Sequence, residues 1–294
     1  RKGICSPAEE DRRGHCMTWQ EAYKRGTARL QQCGVEEAGA DAWILLEEFG
    51  KIDRAHYFLR QMEEMPEEAR HSYECAIAKR AQRIPVQQIT GKQEFCGLEF
   101  QVNEQVLIPR QDTECLVEEA LKKVKPGDHV LDVCTGSGCI IISIQKLMRD
   151  QCVCCATDIS KEALKVAEKN AMHLEAKVRF VQGDLMENVT GRYHCIVSNP
   201  PYIESEVIRG LEPEVRDHEP MLALDGKEDG LFFYRKIIKE ALHYLEPEGW
   251  LLFEIGYLQG EAVSTLMIQS GYREVTVKKD LAGLDRIVLG QYRP

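Results

Sequence analysis

An α/β fold built on a mainly parallel, seven-stranded sheet is what most of this sequence predicts, and three observations carry the prediction. Seven apolar runs of strand length, at 128–134, 151–157, 177–182, 192–198, 248–255, 272–278 and 285–291, are interleaved with amphipathic helical stretches near 138–149, 160–174, 230–245 and 259–270. Alternation of this kind buries a parallel sheet between helices on both faces. A glycine-rich turn, Gly136-Ser137-Gly138, follows the first of these strands, where such sheets bind ligands. Before residue 84, by contrast, every periodic segment is helical.

Residues 1–16 carry many charges, one proline and two glycines without any periodicity, and are read as a disordered extension with Met17 near the natural start. From Thr18 to Arg83 apolar residues recur at helical steps: Trp19, Tyr23, Gly26 and Leu30, then Ala42, Leu45, Leu46 and Phe49. Asp53 is placed to cap a helix over Arg54 to Met62, and Pro66 to open one running to about Arg83. Residues 17–84 are therefore expected to form a small helical domain. It holds no polar cluster of catalytic type, so gripping a substrate is its expected role. Pro85 ends it, and 85–110 read as a β-hairpin linker, with strands over Gln93 to Phe100 and Gln101 to Ile108 and a bend at Gly97. Asp112 is placed to cap a helix whose stripe is Leu116, Val117, Ala120, Leu121 and Val124, the entry to a sheet domain over 111–294. Only Lys279 to Leu284 join the last two strands, which should pair as a hairpin.

Two motifs carry chemistry. In Cys134-Thr135-Gly136-Ser137-Gly138 the glycines let the backbone turn sharply and approach a ligand closely. Asp158 closes the next strand, twenty residues beyond Gly138, where a carboxylate reaches ribose hydroxyls in dinucleotide folds. Asp184 closes a third strand and is placed to touch an adenine amino group, with Leu185 packing on the ring. A nicotinamide or flavin fingerprint needs a third glycine, and Ile141 stands there instead. The second motif is Asn199-Pro200-Pro201-Tyr202. Two successive prolines stiffen the turn and leave carbonyls without local donors, and Asn199 adds a side-chain acceptor. Such a corner can hold an NH2 group by its protons with the lone pair pointed away, and Tyr202 offers a flat face for a planar group. Together the motifs point to methyl transfer from S-adenosylmethionine to a planar amide or amine nitrogen, with Asn199 shared between cofactor and substrate.

Composition narrows the partners. A net charge of −10 argues against stable nucleic-acid binding, which depends on neutralising phosphates. No apolar run approaches a membrane span and no signal peptide is visible. Twelve cysteines without such a signal imply reduced thiols and a cytoplasmic location. Cys152 and Cys155 have metal-like spacing but lie in a strand-like run with no second pair, so no metal is expected. A monomer is the default expectation.

On these residues the chain resembles the release-factor glutamine methyltransferases, the protein-(glutamine-N5) methyltransferase family of class I. The likeness runs from about Met17 to Tyr292. It includes Ile89-Thr90-Gly91-Lys92-Gln93-Glu94-Phe95, Leu107-Ile108-Pro109-Arg110-Gln111-Asp112-Thr113-Glu114, the glycine loop, the proline corner, Glu219-Pro220-Met221-Leu222-Ala223-Leu224 and Phe253-Glu254-Ile255-Gly256. The resemblance implies a Rossmann-like methyltransferase sheet with a helical N-terminal domain. It further implies that the glutamine of a Gly-Gly-Gln loop in bacterial peptide chain release factors enters beside the corner. Asn199 and the Pro200 carbonyl would hold its NH2, with Pro201 shaping the turn and Tyr202 against the amide plane. The family usually has glycine where this chain has Cys134, whose side chain would crowd the methionine end of the cofactor. Two other classes compete. An adenine-N6 methyltransferase shares the corner but would want a basic groove and aromatic platforms. A non-catalytic scaffold would have little need for an intact Asn199.

Overall fold

The computed structural model describes residues 17–294, and the extension read into residues 1–16 lies outside them. The chain forms two compact units, which divide between Thr90 and Gly91.

The first unit holds α1 (Trp19–Gln32), α2 (Ala38–Gly50), α3 (Arg54–Arg60), α4 (Glu67–Arg80) and the short α5 (Val86–Thr90). Thr18 and Glu21 close a reciprocal capping box at the start of α1, and Asp53 accepts the His56 amide at 2.8 Å at the start of α3. Trp19, Leu30, Leu45, Leu46, Tyr73 and Ile77 are among its buried core. A buried ion pair, Arg80 with Asp41 at 2.6 Å, ties α4 to α2. Asp53 caps as its position predicts, but α3 stops at Arg60 rather than Met62.

The second unit opens with a hairpin, β1 (Lys92–Phe95) and β2 (Leu98–Gln101). The two strands expected over 93–108 are thus one tight hairpin, and 102–108 carry no strand. Cys96 and Gly97 both have positive φ, the geometry of a two-residue turn that matches strand twist. A 3₁₀ turn (Gln111–Thr113) leads into α6 (Glu114–Leu121). Asp112 does not cap that helix. Its carboxylate lies 3.1 Å from Arg286, an ion pair that no local pattern signals.

From there the alternation is as the periodicity predicts: β3 (His129–Val133), α7 (Cys139–Leu147), β4 (Val153–Asp158), α8 (Lys161–His173), β5 (Val178–Gln182) and β6 (Tyr193–Ser198). After β6 a long connection carries two single-turn helices, α9 (Pro213–Arg216) and α10 (Met221–Leu224), before α11 (Phe232–Tyr244), β7 (Leu245–Glu254), α12 (Gly260–Gln269), β8 (Arg273–Lys279) and β9 (Asp285–Gln291). The seven strands run β5-β4-β3-β6-β7-β9-β8, the first five parallel and β9 antiparallel to both neighbours. The last two strands do pair as a hairpin, with β9 inserted next to β7.

Side chains alternate across a strand, so consecutive residues feed opposite cores. Val130 joins Ile141 and Leu116 in one cluster, and Leu131 joins Ile237 and Val263 in the other. Among the described residues no helix is long and apolar enough to cross a membrane.

Candidate active site

The chain steps outward from β3 to β4 and β5, then returns to lay β6 on the other side of β3. That reversal opens a crevice at the carboxyl ends of the strands. Register decides what meets there. Val133 pairs with both Thr157 and Ser198, so Cys134, Asp158 and Asn199 leave the sheet side by side. Ser198 Oγ donates to the Val133 carbonyl at 2.6 Å and Thr157 Oγ1 to the Leu185 carbonyl at 2.7 Å, pinning these strand ends.

A single cavity of about 210 Å³ occupies the crevice. Cys134, Thr135, Gly136 and Ser137 form one wall, Asp158, Asp184 and Leu185 another, and Asn199 and Pro201 a third. Of the residues singled out from sequence, Gly138, Pro200 and Tyr202 are absent from these walls. Gly138 is the N-cap of α7, and a Cβ there would meet Ala167 of α8 at 3.1 Å, so it serves close helix packing. Tyr202 is half-buried and turns its hydroxyl to Glu254 Oε1 at 3.4 Å.

The loop is braced from below. Asp158 accepts the Gly136 amide at 2.9 Å and the Ser160 amide at 2.8 Å. Thr135 Oγ1 donates to Asp132 at 2.6 Å, and Asp132 is fully buried, which pushes its pKa up to about 7. Burial likewise raises Asp158. Cys134 sits at φ 64, the left-handed region where a side chain costs about 1–2 kcal/mol. Burial holds its thiol protonated.

The walls fit a nucleoside cofactor bearing positive charge. Gly136 has φ +56 and open space where a Cβ would stand, so the backbone itself faces the cavity. Ser137 Oγ is buried there without a partner. The charged residues of the wall are Asp158, Asp184 and Arg110, and Asp184 is paired with Lys236 at 2.9 Å. Arg110 is itself paired with Glu219 at 2.6 Å. That balance suits a sulfonium and an α-amino group better than a pyrophosphate.

Several supporting contacts carry no signal in the sequence, although Glu219 itself stands in one of the motifs quoted above. Asn170 of α8, fully buried, donates to the Ser137 and Gln101 carbonyls and accepts the Gln101 amide, which fastens β2 to the glycine loop. Glu219 accepts both the Ile108 amide and Arg110, which closes the segment 107–110 onto the connection after β6. Gln259 donates to the Tyr202 carbonyl at 3.0 Å. Each acts across a long sequence separation, where spacing rules are silent. Glu114, adjacent to the wall in sequence, instead accepts the Cys96 amide at 2.7 Å and holds the β1–β2 turn.

Fold and site together define a class I methyltransferase that uses S-adenosylmethionine. Residues 21–91 match the PrmC N-terminal domain and residues 111–210 the methyltransferase small domain. The chain is 39% identical over 277 residues to the release factor glutamine methyltransferase of Geobacter sulfurreducens, covering 94% of this chain and 95% of that one. It is 41% identical over 283 residues to the same enzyme of Moorella thermoacetica, covering 94% and 99%. A solved methyltransferase from Pyrococcus furiosus shares the fold, with a TM-score of 0.52, 19% identity, and coverage of 67% of this chain and 90% of that one. The chain belongs to the release factor glutamine methyltransferase family.

Replacing Cys134 by glycine is expected to remove the left-handed strain, about 1–2 kcal/mol, against a glycine entropy cost of about 0.5–1. The net expectation is a gain in stability of about 0–1.5 kcal/mol, read by urea unfolding, with cofactor affinity undiminished. A destabilised variant with weaker cofactor binding would show that the thiol contributes a contact worth more than its strain.

Proposed function

We propose that this chain methylates the side-chain amide nitrogen (N5) of the glutamine in the Gly-Gly-Gln loop of bacterial peptide chain release factors, and so supports translation termination. One observation carries the proposal: a single cavity is lined both by Gly136 and Asp158 and by Asn199 and Pro201. Donor and acceptor sites are therefore continuous.

S-adenosylmethionine, when bound, supplies an electrophilic methyl group on a sulfonium sulfur. In this reading Cys134 to Ser137, Asp158, Asp184 and Leu185 hold it, and Gly138 keeps the loop in place by packing its helix on Ala167. The protein's task at the substrate is positional, because an amide nitrogen is a poor nucleophile whose lone pair is delocalised. Asn199 Oδ1 and the Pro200 carbonyl accept the two N–H groups, which favours pyramidalisation and turns the lone pair into the cavity. Among the described residues no protein donor pairs with the Pro200 or Pro201 carbonyl, so neither acceptor is already committed. Pro201 fixes the turn, and Tyr202, anchored on Glu254 outside the cavity wall, braces the corner. No base need act first, since the nitrogen sheds its proton readily only after it has gained the methyl.

The helical unit is assigned to substrate capture. Its α3 and the residues just beyond expose Phe58, Leu59 and Met62 at 68%, 82% and 72%, an apolar patch suited to a protein partner. Changing Phe58 and Leu59 to aspartate is expected to raise KM for release factor about tenfold with kcat for saturating substrate retained. An unchanged KM would move the docking surface elsewhere.

A cytoplasmic location accompanies this assignment, and ten free cysteines among the described residues support it. The direct test is mass spectrometry of a release factor co-expressed with this chain. One added methyl on the loop glutamine is expected, and label appearing on oligonucleotide rather than protein would favour the adenine-N6 alternative.

A further inference from the structure

We infer that Glu219 clasps two irregular walls of the cavity over bound S-adenosylmethionine, so that the cofactor enters and leaves only when this clasp opens. The inference rests on the reading of the cavity as the cofactor site. At about 210 Å³ the cavity is smaller than the roughly 300–1,000 Å³ usual for pockets that enclose such ligands. Part of its lining must therefore move apart to admit the cofactor.

The sheet side cannot give. Cys134, Asp158 and Asn199 follow β3, β4 and β6, whose ladder pairs Val133 with Thr157 and Ser198. Two other stretches contribute to the lining: Leu107, Pro109 and Arg110 on one, and Pro220, Leu222 and Ala223 on the other. The first carries no strand or helix, and the second holds only the single turn α10. Met221 and Leu222 stand 53% and 66% exposed, so α10 loses little apolar burial by shifting. Its far end is a fixed point. The Ile203 amide donates to the Leu224 carbonyl at 3.0 Å, and the Gly226 amide to the Ile203 carbonyl at 2.8 Å.

Glu219, immediately before α10's stretch, joins it to the first. One of its oxygens accepts the Ile108 amide at 3.1 Å, and the other accepts Arg110 Nη2 at 2.6 Å. The Glu219 side chain is fully buried, so water does not compete for it, and its charge strengthens both bonds. Arg110 differs: its side chain is 42% exposed, so the guanidinium has solvent to turn to when the pair parts. That asymmetry makes the contact firm when closed and still releasable. Steps of this kind set the exchange rate of many enclosed ligands. Because the strap hinges at Leu224, beside the residues that follow the proline corner, opening carries α10 away while Asn199 and Pro201 keep their places. The corner is thus preserved each time spent cofactor is exchanged for fresh.

The experiment uses the full chain, labelled S-adenosylmethionine and a chase of unlabelled cofactor, with association and dissociation rates measured separately. Glu219→Gln keeps the shape and can still accept the Ile108 amide, but it gives up the charge that holds Arg110. Arg110→Met keeps the packing stem and removes the guanidinium. Each is expected to raise koff at least about tenfold and kon by about the same factor, which leaves Kd within about threefold. The double variant should exchange cofactor within about twofold of either single one, because both break one clasp. Arg110→Lys, which still offers Glu219 a charged donor, should stay within about threefold of wild type. Should Glu219→Gln fail to fold, Arg110→Met, altered at a half-exposed side chain, decides the matter alone. A merely structural ion pair would lower the thermal midpoint and leave both rate constants as they are, and that result overturns the clasp. A rise in koff matched by an equal rise in Kd in Arg110→Met, with kon unchanged, also overturns it and makes Arg110 a direct cofactor ligand. A wild-type chain that binds no S-adenosylmethionine overturns the cavity reading as well, whereas unchanged exchange rates in a chain that binds it overturn the clasp alone.

Discussion

Asn199→Ala is expected to lower kcat by about 10³-fold or more, a loss near 4 kcal/mol of transition-state stabilisation, while cofactor Kd changes by less than about threefold. The asymmetry follows from where the side chain sits. Asn199 leaves β6 at the junction of the cavity's walls, but Asp158, Asp184 and the loop around Gly136 make up the rest of the nucleoside end without it. Removing its amide takes away one of the two acceptors proposed for the substrate N–H groups, and the Pro200 carbonyl alone leaves the nitrogen free to rotate back into conjugation. Stability should hardly move, because the Asn199 side chain makes a single contact at 3.5 Å and is not fully buried. Single-turnover methylation of release factor together with calorimetric titration of the cofactor separates the two quantities. Near-normal methylation would remove Asn199 from this role, and a matching collapse of cofactor affinity would make it chiefly a cofactor ligand.

How much of this was legible in the sequence depends on the range of the interaction. The strands after Gly127 and the four longer helices between them are set by local periodicity and fall within a few residues of where the apolar runs place them, whereas the single-turn α9 and α10 carry no such signal. The glycine loop and the corner were readable as motifs because each acts through its own backbone. Their convergence is a register fact: Val133 opposite Thr157 and Ser198 is what brings Cys134, Asp158 and Asn199 abreast. Asp112 shows the limit from the other side. Its spacing ahead of an apolar stripe matches a helix cap, yet Arg286, far along the chain, offers a charge that an amide does not. Gly138 matches a ligand-binding glycine in spacing, yet its lack of a side chain is used against Ala167 of α8. The segment 102–108 alternates like a strand, but only its first amide continues the hairpin, Val102 to the Gly91 carbonyl at 3.0 Å, and Gln101 gives its amide and carbonyl to Asn170. Such choices between competing partners are tertiary, and one-dimensional patterns do not rank them.

Gly230→Ala is expected to damage the corner from outside the cavity, with a loss of about 3 kcal/mol in stability and at least about 10²-fold in kcat/KM. Gly230 has φ +68, and a Cβ there would stand 2.4 Å from the Tyr202 carbonyl oxygen and 2.7 Å from Gln259 Nε2. Neither neighbour can yield cheaply. The Tyr202 oxygen is backbone, and Gln259 is committed to it at 3.0 Å and to the Gly256 amide at 2.9 Å. Gly226 presses on the same peptide, with its Cβ position 2.7 Å from Tyr202 Cα, so the corner cannot retreat that way either. Relief has to come from displacing Tyr202 and, through two rigid prolines, Asn199. A shift on the order of 1 Å in a group that must align a poor nucleophile costs about two orders of magnitude. Gly136→Ala provides the contrast. It carries a similar left-handed penalty of about 1–2 kcal/mol, but its Cβ meets no protein atom within 4 Å and enters the cavity. That variant should stay folded and lose cofactor affinity first. Urea unfolding and cofactor titration on both proteins would therefore show opposite patterns. A Gly230→Ala enzyme with wild-type kcat would mean that the position of the corner is not what limits the reaction.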